Sequence, residues 1–404
     1  MLYPTIRVYS QYSDNLFLSP LFPLSVLGFG VSPNLVAEWS NGIHTTTFHG
    51  NIDRQVYPTA NEVNTFDRQV SLTQKYAPLP DLTFRVLGDY THKTISSALQ
   101  NSIPNPVNAT QTTVLPDGNT LLPNGTIVSP TGEVVNQANP AAVNGATSAA
   151  NPYDQFTGTF SVDKIFNRGN LTLSSSIART NYDIQSSQDF MTRSLTENAG
   201  VWLGPLFYAY SNGTISTQVV EAKSVSTTSY RVRGGIGTRQ FGLFRGQGYF
   251  GHQGSHGTGT AGGDIFGGKL TYYPTPIWTL EAAVDETINI AAQTFSSSLA
   301  LTLPETTPLQ VPLSASTRTT ATSLHSDYHI SRQWLASSQF AYTRIEYIGS
   351  SRLDNTWLVD AILKYDIWRN MALTWEYRYT RILSNAPFTS AKSNFGVMSA
   401  TYKF

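Results

Sequence analysis

The strongest constraint on this chain is a period of two in its apolar residues. From Met371 onward, Met371, Leu373, Trp375, Tyr377 and Tyr379 fall on one face, and Ala372, Thr374, Glu376, Arg378 and Thr380 on the other. Successive side chains of an extended strand point to opposite sides, so such a segment needs an apolar solvent on one face and a polar one on the other. Trp278, Leu280, Ala282, Val284, Ile288 and Ile290 repeat the pattern against Thr279, Glu281, Asp285, Thr287 and Asn289, with Glu286 alone breaking the apolar face. Trp357, Val359, Ala361, Leu363, Tyr365 and Ile367 do the same against Asp360, Lys364 and Asp366. No apolar run approaches the ~18 residues of a membrane helix, so any span must be made of strands.

Segments of this kind recur about eighteen times, sixteen at the least, each about ten to fifteen residues long, as tilted membrane strands require. The first two are expected over residues 5–17 and 31–41, and the last over 393–404. The fold class expected is all-β: one transmembrane antiparallel β-barrel over 1–404, closed between its first and last strands. Tight turns at Asn41-Gly42, Pro78 to Asp81, Asn167 to Gly169, Leu203 to Pro205, Pro274 to Pro276, Ser331 to Gln333 and Trp368 to Asn370 are expected to alternate with longer connections without exception. That asymmetry reads as short periplasmic turns and long extracellular loops, with both termini periplasmic. Trp39, Trp202, Trp278, Trp334 and Trp368 lie close to the short turns, where an interfacial aromatic girdle is expected.

Composition narrows the partners. Only 13% of residues are charged, against about a quarter in soluble domains. With 26 basic and 26 acidic residues there is no broad basic face for nucleic acid. Absence of Cys removes disulfides and thiolate chemistry together. Met1-Leu2-Tyr3-Pro4-Thr5 lacks the basic and apolar regions of a signal peptide, so one is expected upstream.

The charged residues on expected inner faces are Asp67, Lys75, Arg85 and Asp89, then Arg231, Arg233, Lys269, Glu281 and Asp285, then Asp360, Lys364, Glu376 and Arg378. They would be costly in lipid and are at home in a wet lumen, where they can join neighbouring strands by ion pairs or impose a transverse field on polar solutes. His252 and His256 with Asp264, and His325 with His329, invite a metal reading, but neither has a third ligand at convincing spacing, and no metal or other cofactor is expected. The Gly-rich stretch 251–268 is followed by no phosphate-loop element, and no Gly-x-Ser-x-Gly elbow occurs, so no enzyme is expected.

Residues 96–154 are too long for an ordinary connection. They contain a seven-residue repeat, VLPDGNT from Val114, LLPNGTI from Leu121 and VSPTGEV from Val128, which places Pro116 with Gly118, Pro123 with Gly125 and Pro130 with Gly132. Proline presets the first corner of a turn and glycine accepts the positive φ that follows, so each copy should make one β-turn and the set should form small stacked hairpins. An insert at this point could constrict the lumen, cap it, or stay without order.

The run YSQYSDNLFLSP from Tyr9 to Pro20, then VSPNL from Val31 and WSNGIH from Trp39, resembles the N-terminal part of the family called putative β-barrel porin 2. The closing Tyr402-Lys403-Phe404 resembles the aromatic C-terminal signal read by the barrel-assembly machinery. The resemblance implies a proteobacterial outer-membrane barrel set among lipid and lipopolysaccharide, and a homo-oligomer is compatible with it. The function expected is passage of hydrophilic solutes, saccharides among them. The alternatives are an exopolysaccharide conduit with periplasmic partners, since relatives sometimes accompany exopolysaccharide genes, or a surface-binding barrel with a blocked lumen.

Overall fold

In the computed structural model the described residues are 1–16, 18, 23–95, 113–114, 120–121, 127–128, 134–136, 151–183, 189–220, 225–257, 261–289, 316–386 and 389–404. Eighteen antiparallel strands close into one barrel. They are β1 Leu2–Ser13, β2 Val26–Ser40, β3 His44–Val56, β4 Thr65–Leu79 and β5 Leu82–Ile95, then β10 Asn151–Phe166, β11 Gly169–Tyr182, β12 Phe190–Trp202 and β13 Phe207–Val220. The wall continues through β14 Val225–Thr238, β15 Phe244–Gly257, β16 Gly262–Thr275, β17 Trp278–Asn289 and β18 Thr317–His329. β19 Trp334–Tyr347, β20 Leu353–Trp368, β21 Met371–Ser384 and β22 Ala391–Lys403 complete it. Closure is direct: Thr5 pairs with Lys403 and Ser13 with Phe395. A closed wall leaves no strand edge unpaired, which is what hydrocarbon demands.

Four short strands, β6 Thr113–Val114, β7 Thr120–Leu121, β8 Ile127–Val128 and β9 Val134–Asn136, pair in sequence as an antiparallel ladder separate from the wall. They fall where the seven-residue repeat joins its copies. The turn residues Pro116, Gly118, Pro123, Gly125, Pro130 and Gly132 lie outside the described residues. The insert is shorter than 96–154, because β10 already begins at Asn151, where Asn151 pairs with Ile95.

Two expectations need correcting. The first two strands start earlier than 5–17 and 31–41. Leu16 is apolar but not in the wall: its N–H donates to the Leu24 carbonyl at 2.9 Å, folding the chain back. It packs instead on a loop-side cluster of Val26, Tyr57, Ala60 and Val63. β2 is longer than its apolar pattern suggests because its inward positions include Gly28 and Gly30. The alternation of connection lengths also has exceptions. The segments 221–224 and 258–261, on the long-loop rim, are shorter than the turn 239–243 on the other rim.

Candidate pore wall

Large exposed apolar residues mark the outer face of each strand: Leu27, Phe29 and Val31 on β2, Val70 and Leu72 on β4, Phe156 and Phe160 on β10, Trp357 and Val359 on β20. The alternate residues form the inner wall. On β1 to β5 that wall carries acidic and basic residues among amides. Asp53 and Asp67 are directly paired across β3 and β4. The Thr94 N–H donates to Asp67 at 2.9 Å, and Asp89 accepts from Gln69 at 2.8 Å and Thr91 at 2.9 Å. Lys75 and Arg85 share this face nearer the short turns, with Arg85 4.0 Å from Asp163.

Farther round, Arg231 and Arg233 stand two apart on β14. Arg233 donates to Asn212 at 3.1 Å and lies 4.9 Å over the Tyr249 ring. Lys269 and Glu281 form an ion pair of 2.7 Å between β16 and β17, and buried Asp285 accepts from the Tyr249 hydroxyl. On β20 and β21, Arg378 bridges Glu376 at 2.6 Å and Asp360 at 3.5 Å, while Lys364 holds Asp366 at 3.0 Å. Charges of both signs thus sit on the inner face, several of them as opposite pairs between or along strands.

The sequence reading missed several inner residues. Asp53 escaped because Gly50 and Arg54 interrupt the apolar outer face of β3. Asp354 is nearly buried, held by Arg352 at 2.7 Å and the Tyr347 hydroxyl at 2.9 Å. Its partners come from a connection and another strand, which no periodicity reveals. His325 faces inward and lies 2.9 Å from Asp327; His252 lies on the outer face 3.0 Å from Asp264. Neither pairing gains a third ligand: among the described residues no three His, Cys, Asp or Glu gather.

A second inner feature is a set of tyrosines lying across glycines. The Tyr9 hydroxyl crosses Gly30 of β2 and donates to Asp53 of β3 at 2.7 Å. Tyr208 crosses Gly237 of β14 to Gln247 of β15 at 3.1 Å, and Tyr249 crosses Gly267 of β16 to Asp285 of β17. A Cβ on Gly30 would stand 2.0 Å from the Tyr9 ring, so only glycine permits the crossing. Each strap ties a strand to its next neighbour but one. Near the first strap, Gln11 donates to Gln55 at 3.2 Å and to the Tyr57 hydroxyl at 2.5 Å. Burial pushes the Tyr57 hydroxyl up to about 12, and it donates to Gln55 at 3.0 Å.

The short-turn rim carries an outer aromatic belt. Trp39, Trp278 and Trp368 are exposed there, and Trp334 stacks on Tyr365 at 4.4 Å and on Trp375 at 6.3 Å. Trp368 reaches the outside through a bulge that pairs it with Met371. Trp202 is a correction. It pairs with the inward Tyr208 and faces the lumen, with Arg239 3.9 Å over its ring, while its neighbour Val201 faces out. Proximity to a turn placed it at the right height but could not fix its face. Phe404 is 75% exposed beside Tyr402, its N–H bonded to the Pro4 carbonyl at 3.1 Å. In the same rim the Lys164 ammonium beside Asp81 holds that carboxyl below the usual carboxylate range.

No curated protein matches the chain. Among solved structures, OccK3 (OpdO) of Pseudomonas aeruginosa aligns over 100% of this chain and 95% of its own, with TM-score 0.51 and 11% identity. A mutant of the ferric enterobactin receptor PfeA from the same organism gives TM-score 0.49 at 7% identity, covering 100% and 80%. The FrpB iron transporter of Neisseria meningitidis gives 0.49 at 8%, covering 100% and 81%. At 11% identity the likeness to OccK3 is one of fold alone. The model of the family Putative beta-barrel porin 2 matches residues 81–404. The matched range excludes the segments between Tyr9 and His44 that carried the resemblance, and it includes fourteen complete strands of the wall, β5 and β10 through β22, together with the closing residues Tyr402 to Phe404. The chain therefore belongs to the Putative beta-barrel porin 2 family and is a porin-like outer-membrane barrel.

Proposed function

We propose that the barrel is a channel for hydrophilic solutes, neutral saccharides among them, with its termini in the periplasm and its long-loop rim outside. The observation that carries the reading is the inner wall. An eighteen-stranded barrel is wide enough to enclose water rather than a filled core. Both signs are mixed on that wall, and several of its charges are held as opposite pairs such as Lys269 with Glu281 and Arg378 with Glu376, which limits the net field available to select one ion sign. The amide, carboxylate and phenol groups of Gln11, Asp53, Gln55 and Tyr9 offer both donors and acceptors of the kind that sugar hydroxyls exchange with. Liposome swelling with neutral sugars of increasing size, alongside single-channel recording of the folded protein in planar bilayers, tests this. Stepwise conductance with weak ion selectivity and a sharp size limit for sugars is expected. A folded barrel that conducts nothing and admits no sugar overturns it.

A further inference from the structure

The outer wall has a groove where two glycines meet. Gly88 of β5 and Gly158 of β10 are direct partners, so the wall there has no side chains. A Cβ on Gly88 would meet nothing within 4 Å, and one on Gly158 would make only an ordinary contact with Ile177 at 3.6 Å. The open volume is ≈ 520 Å³, lined by Val70, Leu72, Phe156, Ile177 and Met191. On its loop side the groove ends at Tyr90, which packs on Phe156 at 4.9 Å, and at Arg179.

This end is basic. Arg68 donates to the Tyr90 hydroxyl at 3.1 Å and lies over its ring. Arg54 and Arg193 share the outer face on flanking strands, opposite the exposed Phe66 and Ile177. Asp154 is already engaged by Tyr90 at 2.8 Å and His92 at 2.9 Å, and Glu197 lies farther down β12, accepting from Ser211 at 3.2 Å. Arginine facing hydrocarbon is expensive unless it sits at a charged interface.

We propose that this groove seats an acyl chain of one lipopolysaccharide molecule, with a lipid A phosphate at Arg68 and Arg179. The apolar slot takes the chain, and the planar guanidinium forks match phosphate oxygens. Several arginines spread over neighbouring strands fit a lipid with more than one phosphate better than a glycerophospholipid with a single one. The assignment rests on the long-loop rim facing outward, but its test does not depend on conduction. Native mass spectrometry of the full chain in detergent, with lipid A and separately with phosphatidylglycerol as probes, reads the bound lipid. Lipid A should remain as a one-to-one complex. Gly88→Leu and Gly158→Leu, which fill the slot, and the pair Arg68→Gln with Arg179→Gln should each weaken it at least tenfold, while Met398→Leu on the far wall should not. Heat-modifiable electrophoretic mobility confirms that each variant is folded, and the arginine pair, being exposed, keeps the test available if a glycine variant fails to fold. Unchanged retention in folded variants overturns the site. Loss in the arginine pair alone reduces it to a phosphate patch without a seated chain and overturns it too. Phosphatidylglycerol held as tightly and lost with the same substitutions overturns the lipopolysaccharide assignment.

Discussion

The two faces of β21 are separated by one strand's thickness and answer to different solvents. Outside, Trp375 stacks with Trp334, and Tyr377 is half exposed. Inside, Glu376 and Arg378 are held within 2.6 Å of each other. A slip of one residue would exchange the two sets and place both charges in hydrocarbon, so register here is fixed by solvent rather than by any one contact. The inner wall is organised by specific polar partners and tyrosine straps. The outer wall is organised by exclusion, with charge allowed chiefly toward the loop-side ends.

The largest expected effect comes from breaking this division directly. Val359→Arg, on the outer face of β20, should lower unfolding free energy by about 2–4 kcal/mol. Ile362→Arg, on the inner face opposite Glu376, should change it by less than about 1 kcal/mol. Urea unfolding in lipid vesicles followed by tryptophan fluorescence compares them, and equal costs would show that the two faces do not differ in solvent.

A smaller effect should come from the straps. Gly30→Leu drives a side chain into the Tyr9 ring and should cost about 1–3 kcal/mol. In a Tyr9→Ala background the same change should cost much less, because the clash is gone. Tyr9→Phe, which keeps the ring and loses the bond to Asp53, should cost about 0.5–1.5 kcal/mol. Additive costs in the Gly30 and Tyr9 pair would show that the crossing is incidental.

The division was legible in the sequence where each wall has its own solvent. The strand number, the closing pair near Thr5 and the two faces of β21 follow from alternation alone. What alternation cannot show is a contact made across an intervening strand. Tyr9 and Asp53 are 44 residues apart and meet only once the register of two ladders is set. Glycines under tyrosines also erase the pattern that reveals a strand, which is why β2 was read short. Near turns the parity itself gives way: a bulge turns Trp368 outward while unbroken pairing leaves Trp202 facing in. The groove at Gly88 and Gly158 is likewise a product of register, since two glycines 70 residues apart become a slot only when paired.

The smallest effect belongs to the rim. The Asp81 carboxyl is held low by Lys164, so its contribution is present above the ordinary carboxylate pKa and is lost as pH falls through the depressed value. Wild type and Asp81→Asn should differ slightly near neutral pH and converge in acid. A difference that grows on acidification would reverse the sign of the coupling.

The two-solvent wall is tested most directly by thiol accessibility, for which the chain's lack of Cys supplies a clean background. Thr374→Cys, Trp375→Cys, Glu376→Cys and Tyr377→Cys, each in intact outer membranes, would be exposed to a small hydrophilic maleimide. Labelling at positions 374 and 376 with protection at 375 and 377 is the expected result. Labelling at 375 and 377 with protection at 374 and 376 would contradict it.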